Sequence, residues 1–230
     1  MKRLIMPAAL FCAVSLASIS VAEEADEGFR ELFNGKTLEG WAHKPGGWRV
    51  EDGAITGQSI EEKPCKKHHY IHWTGGEPDS FDLRVTYRIT GGNSGIHFRS
   101  KPRANWDMEG YQADIEAGHK WTGCLFEVYG RGGVVMRGHR AVYKPDGTKE
   151  DVQFADPAEL MSKIKQGDWN EYRILAQGPR IRLFINDVLM CEVTDEHPEH
   201  ARQKGVIGFQ MHPGPPMTVQ FKSVRLKELD

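Results

Sequence analysis

The sequence predicts an all-β fold, a sandwich of two antiparallel sheets, and three observations carry the prediction. From Phe29 onward, short segments repeat an apolar residue at every second position, the period of a strand with one buried face. Glycine, proline, asparagine and aspartate separate these segments, as turns between strands require. A helical pattern is confined to ADPAELMSKI, where Asp156 is placed to cap a helix, Pro157 to open it and Glu159 to follow three residues after the cap. Many short strands with one small helix make a sandwich.

In chain order, WRVEDGAITG reads as two strands joined at Asp52-Gly53, a pair suited to a tight hairpin. DLRVTYRIT, SGIHFRS, YQADIEA, CLFEVYG and WNEYRILAQG follow as strands. RIRLFINDVLMCEV contains a second tight turn at INDV, and GVIGFQMHP and MTVQFKSVRLKEL complete the series. Two stretches, residues 59–78 and 131–153, lack a clear pattern and are expected to be long functional or mobile loops.

The chain begins with MKR, continues apolar through LIMPAALFCAVSLASI and reaches SVA before a charged run. This is the order of a secretory signal peptide, expected at residues 1–22 with cleavage after Ala22. A short lead at 23–28 and a single domain at 29–229 follow, and the mature protein is expected to be periplasmic or secreted, without a membrane span. The formal net charge is -2, and its even distribution gives no electrostatic footprint for nucleic acid. Beyond the signal segment there are three cysteines, Cys65, Cys124 and Cys191. Their odd number allows at most one internal disulfide, their spacing does not suit zinc, and buried thiols are expected.

The stretch GYQADIEAG poses the functional question. On a strand, Tyr111, Ala113 and Ile115 point one way, and Gln112, Asp114 and Glu116 the other. Two carboxylates on one strand face repel each other unless water, a cation or a ligand compensates. SGIHFRS likewise offers His97 and Arg99 opposite Ile96 and Phe98, and GFQMHP offers Gln210 and His212 opposite Phe209 and Met211. If the three polar faces coincide, they line one groove, with Arg99 close enough to relieve the Asp114–Glu116 repulsion. Glu127, Tyr129 and Arg131 read as strand-end and loop residues near that groove. Trp73 could stack on a ligand's ring or equally anchor its loop, and Trp106 is a further loop aromatic. A wet outer face is the competing reading of the same alternation. His68, His69 and His72 make a poor metal set, because adjacent histidines diverge on a strand, and no cofactor is expected.

The segments GFRELFNGKTLEGWAHKPGGWRVEDGAITG, GGNSGIHFRS, GYQADIE, WTGCLFEVYGRGG, DWNEYRI and GVIGFQMHPGPPMTVQFKSVRLKEL occur in this order. Together they resemble the bacterial 3-keto-disaccharide hydrolase domain family, also described as 3-keto-glucoside lyase and hydratase. The resemblance runs from about Phe29 to about Leu229. It implies a concanavalin A-like sandwich similar to laminarinases and lectins, acting on an oligosaccharide or glycoside oxidised at C3.

QADIE is also similar to the carboxylate strand of laminarinase-type glucanases, but Gln112 stands where their first carboxylate would be. An amide cannot serve as the nucleophile of a retaining glycosidase. A ketone at C3 removes that need: it acidifies the C2 proton, so a base can take it, the C1 substituent can leave by elimination, and water can then add to the double bond. Asp114 or Glu116, or else His212 or His97, would be base or acid, and Arg99 would stabilise the enolate or orient a carboxylate. His97, Gln112, Glu127, Tyr129, Arg131, Gln210 and Trp73 would bind the sugar. A non-catalytic, lectin-like module using the same groove is the alternative.

Overall fold

The structure is a computed structural model, and it describes residues 27–230. The expected signal peptide and most of the lead that follows it lie outside these residues. Among the described residues, seventeen strands form two stacked sheets. The strands are Arg30–Glu31 (β1), Trp41–His43 (β2), Trp48–Glu51 (β3), Ala54–Ser59 (β4), His69–Trp73 (β5), Phe81–Thr90 (β6), Asn93–Arg103 (β7), Asp107–Glu116 (β8), Leu125–Val128 (β9), Gly132–Val135 (β10), His139–Tyr143 (β11), Lys149–Gln153 (β12), Asn170–Gln177 (β13), Arg180–Ile185 (β14), Val188–Asp195 (β15), Val206–Met211 (β16) and Met217–Glu228 (β17). The ten-stranded sheet runs β12-β11-β15-β14-β13-β6-β17-β4-β3, with β1 added beside β17, and the seven-stranded sheet runs β10-β9-β8-β7-β16-β5-β2. All pairs are antiparallel except β11 with β15. Among the described residues, no helix is long and apolar enough to cross a membrane.

Local chemistry explains most boundaries. Asp52 and Gly53 both have positive φ between β3 and β4, as do Asn186 and Asp187 between β14 and β15, the geometry of two-residue hairpin turns. Among the described residues the one α-helix, Pro157–Met161 (α1), is capped by Asp156, whose carboxylate accepts the Ala158 N–H at 2.7 Å. The two stretches without a clear pattern are not simple loops: they contain β5, β10, β11 and β12. β12 is exposed throughout and β10 contains a glycine pair, so neither carries the alternation that marks a half-buried strand.

The core lies between the sheets. Phe209 of β16 stacks on Phe221 of β17, with ring centroids 3.9 Å apart, and Trp41 of β2 stacks on the same Phe209 at 5.2 Å. Tyr111, Ala113 and Ile115 of β8 are fully buried in this core. The alternation then requires Gln112 and Asp114 to face the other side of the sheet. Cys65, Cys124 and Cys191 are free, buried thiols.

Candidate functional site

On that other side, β8, β9, β16 and the loops around them form a cavity of about 430 Å³, lined by His68, Asn93, Gln112, Asp114, Trp121, Phe126, Val128, Tyr129, Gln210 and His212. Its size suits a small ligand. Asp114 sits at its floor and is only 3% exposed. Burial pushes its carboxyl up to about 8; the Glu116 charge adds to this, while a hydrogen bond from Gln112 opposes it.

Behind Asp114 runs a buried chain of hydrogen bonds. Gln112 Nε2 donates to Asp114 Oδ1 at 2.5 Å, His97 Nε2 lies 2.7 Å from Gln112 Oε1, and His97 Nδ1 lies 3.1 Å from Ser100 Oγ. With the Gln112 amide turned toward Asp114, its oxygen accepts from His97 Nε2–H, which fixes the histidine tautomer. Burial drives His97 down to about 4, so it is a neutral group. The chain depends on Gly95, which pairs with Asp114 in the neighbouring strand. A Cβ there would sit 2.4 Å from Gln112 Cγ, so only glycine leaves room for the amide.

Two imidazoles share the cavity with Asp114. The His68 and His212 rings meet edge to face at 4.7 Å. Burial and the neighbouring His212 lower His68, against a smaller opposing effect of Asp107. His212 Nδ1 lies 2.5 Å from the Pro213 carbonyl, to which it donates, so Nε2 is the ring nitrogen left for other partners. Gln210 Nε2 lies 2.9 Å from Tyr70 Oη and 3.2 Å from His68 Nδ1, while its buried Oε1 has no partner in the protein. A buried acceptor in this state costs free energy until water or a ligand donates to it.

The structure therefore brings Gln112, Asp114, Tyr129, Gln210 and His212 to one cavity, with His97 directly beneath. It corrects the expected placement of Arg99, Glu127, Arg131 and Trp73, and the part expected of Glu116. Arg99 does not reach the carboxylates. A bulge between Phe98 and Lys101 puts Arg99 and Ser100 opposite Gly110, Arg99 takes a φ of 46°, and its guanidinium donates to the carbonyls of Asp79, Gly178 and Arg202. It binds the two sheets together at the edge of the sandwich. Glu127 and Arg131 point to the core side, where Arg131 joins the fully buried Glu127 (2.6 Å) to Asp195. Trp73 is buried in the core beneath Arg30. Glu116 shares the face of Asp114, but its Oε1 accepts the N–H groups of Lys120 and Trp121 and so holds the loop that presents Trp121.

His68, Asn93, Trp121, Phe126 and Val128 are cavity residues that the sequence reading missed. Phe126 and Val128 had a signal, since they alternate with Leu125 along β9. Trp121 and His68 lie in irregular segments and had none. Among the described residues, no group of three or more His, Cys, Asp or Glu is arranged to hold a metal ion.

Solved structures share the architecture. A candidate glycosyl hydrolase from Parabacteroides distasonis superposes with a TM-score of 0.58 at 21% identity, covering 93% of this chain and 99% of that one. The carbohydrate-binding module CBM66 from Bacillus subtilis gives 0.53 at 18% identity, covering 81% and 94%. A galectin-like protein of unknown function from Bacillus subtilis gives 0.50 at 11%, covering 83% and 90%. At these identities the likeness establishes the fold, the concanavalin A-like sandwich. Comparison with curated proteins returns no match. The class is thus a two-sheet β-sandwich with a groove on its smaller sheet. More specifically, the chain belongs to the 3-keto-alpha-glucoside-1,2-lyase-like domain family, whose pattern it matches over residues 28–227.

Proposed function

We propose that the protein is an enzyme that cleaves 3-keto-glycosides by elimination across C1 and C2. The observation that carries this reading is Asp114, a carboxyl held near-neutral at the floor of a sugar-sized cavity, with two imidazoles beside it. At neutral pH a carboxyl raised to about 8 is mostly protonated, which suits it to give a proton to the departing C1 oxygen. His68, lowered by burial, is neutral under the same conditions, so this imidazole, with the His212 ring packed against it, is the base. It takes the proton from C2. The electrons of that C–H bond form the enolate with C3, then re-form the C3 carbonyl as C1=C2 forms and the C1–O bond breaks. The leaving oxygen keeps the Asp114 proton. Asn93 and the unpartnered Gln210 Oε1 are placed to orient sugar hydroxyls. Water adding to C1=C2 completes net hydrolysis.

The signal-peptide order at the N-terminus supports action outside the cytoplasm, and fractionation of cells expressing the full chain tests that placement. For the chemistry, the purified domain is incubated with a disaccharide and with its 3-keto form, deuterated at C2. Cleavage of the oxidised sugar alone, with label lost to solvent, is expected. Retention of C2 deuterium through cleavage, with exchange of the free product controlled, excludes elimination. A glycan that binds while neither sugar is cleaved leaves the protein as a carbohydrate-binding module.

A further inference from the structure

A second cavity, of about 250 Å³, opens beside the first and is lined by Tyr70, His72, Pro102, Arg103, Asn105, Trp106 and Asp107. Two contacts join it to the Asp114 cavity. At the floor, Tyr70 of the second cavity receives the hydrogen bond from Gln210 of the first, across directly paired residues of β5 and β16. At the rim, Tyr129 of the first cavity donates through its hydroxyl to Asp107 of the second at 2.6 Å, and the Arg103 guanidinium lies 4.4 Å from the centre of the Tyr129 ring.

The outer wall is the tip of the β7–β8 hairpin, folded back over the sheet. Met108 at its base is fully buried against Tyr70 and Val206, and it fits over Gly208, where a Cβ would sit 2.9 Å from its sulfur. The tip itself carries backbone strain. Asn105 and Trp106 have φ of 61° and 62° in succession, a left-handed conformation that is unfavourable for a bulky non-glycine residue. Its effect is to leave the Trp106 indole 41% exposed on the cavity wall instead of tucked into a core.

We infer that this second cavity is a subsite for a second sugar ring, the part of the glycoside that departs from C1. An aromatic plane suits the apolar C–H face of a pyranose, and His72, Asn105 and Asp107 surround it with groups that hydrogen-bond hydroxyls. An anionic ligand fits less well, because the charge of Arg103 is already paired with Glu109. The junction of the two cavities, at Tyr70–Gln210 and Tyr129–Asp107, then lies under the glycosidic bond.

This inference rests on the proposed lyase reading, and the test separates the two. Turnover of a 3-keto-disaccharide is compared with that of the 3-keto methyl glycoside of the same sugar in the wild type and in Trp106→Ala and Trp106→Phe. In Trp106→Ala, KM for the disaccharide is expected to rise roughly 5- to 20-fold, with kcat/KM for the methyl glycoside unchanged and Trp106→Phe restoring most of the loss. Equal effects on both substrates, or on neither, overturn the subsite while the lyase reading stands. If the wild type cleaves neither, the lyase reading fails, and calorimetric affinities decide the subsite alone. Wild-type preference for the disaccharide over its monosaccharide that is lost in Trp106→Ala supports it, and equal affinities overturn it.

Discussion

Asp114 and Asp195 both contact residues of β8, one on each side of the sheet, and both are nearly inaccessible to solvent. Burial acts on them in the same direction, raising the carboxyl pKa. At Asp195 hydrogen bonds from Arg131 and Tyr111 more than offset it, and the group sits below the ordinary range. At Asp114 only an amide donates, and the group stays far above it. The difference teaches which buried carboxylate is structural: the one given a guanidinium is fixed as an anion, and the one denied it keeps a proton that can be transferred.

The largest effect expected is at Asp114 itself. Asp114→Asn should lower turnover by about 10²–10⁴-fold while making the fold more stable at pH 8. The sign follows from linkage. Between about pH 4 and 8 the unfolded carboxyl is ionised and the folded one is not, so wild-type stability falls as pH rises through that window, and the amide removes the penalty. Activity of the wild type should likewise decline above about pH 8 as the acid is lost. Thermal unfolding at pH 5 and pH 8 checks the stability claim, and a less stable variant at pH 8 would place Asp114 with Asp195.

On the core side the expectation reverses. Arg131→Met leaves Glu127 and Asp195 buried with reduced compensation and should cost about 3–5 kcal/mol in urea denaturation. A loss below about 1 kcal/mol would break the contrast between the two sites.

His97 sharpens it from a third direction. Its folded pKa, near 4, lies below that of the unfolded chain, so stability is lost as pH falls from about 6.5 to 4, by roughly 3 kcal/mol. In this window the Asp114 slope has the opposite sign, so the wild type masks both. Asp114→Asn should expose the acid sensitivity, and adding His97→Asn should flatten it, as read from unfolding between pH 4 and 7.

The smallest effect concerns Glu116. Glu116→Gln keeps the oxygen that accepts from Lys120 and Trp121 and should be nearly silent, whereas Glu116→Ala should raise KM a few-fold through the freed Trp121 loop. A turnover loss in Glu116→Gln comparable to that at Asp114 would mean that the strip works as a carboxylate pair.

The sandwich and the floor of the groove were legible because both rest on alternation. Gln112, Asp114, Gln210 and His212 all follow from the apolar residues beside them. Trp73 was also legible, for Ile71 two positions earlier marks its face as the core. Arg99 was not, because a bulge breaks the count between His97 and Lys101 without a local glycine to announce it. Glu127 misled for another reason: at that end of the sandwich the space between the sheets is filled by ions, so polarity no longer marks the outer face.

β17 has a consequence for how the fold arises. It lies inside the ten-stranded sheet, paired with β6 on one side and with β4 and β1 on the other, yet among the described strands it comes last in the chain. Until residues 217–228 are made, β4 and β6 have an empty lane between them, and Phe209 lacks the Phe221 ring that stacks on it. Closure of the sandwich is therefore a long-range event of the slow kind, and a nascent chain keeps the larger sheet open between β4 and β6 until residue 228 has emerged.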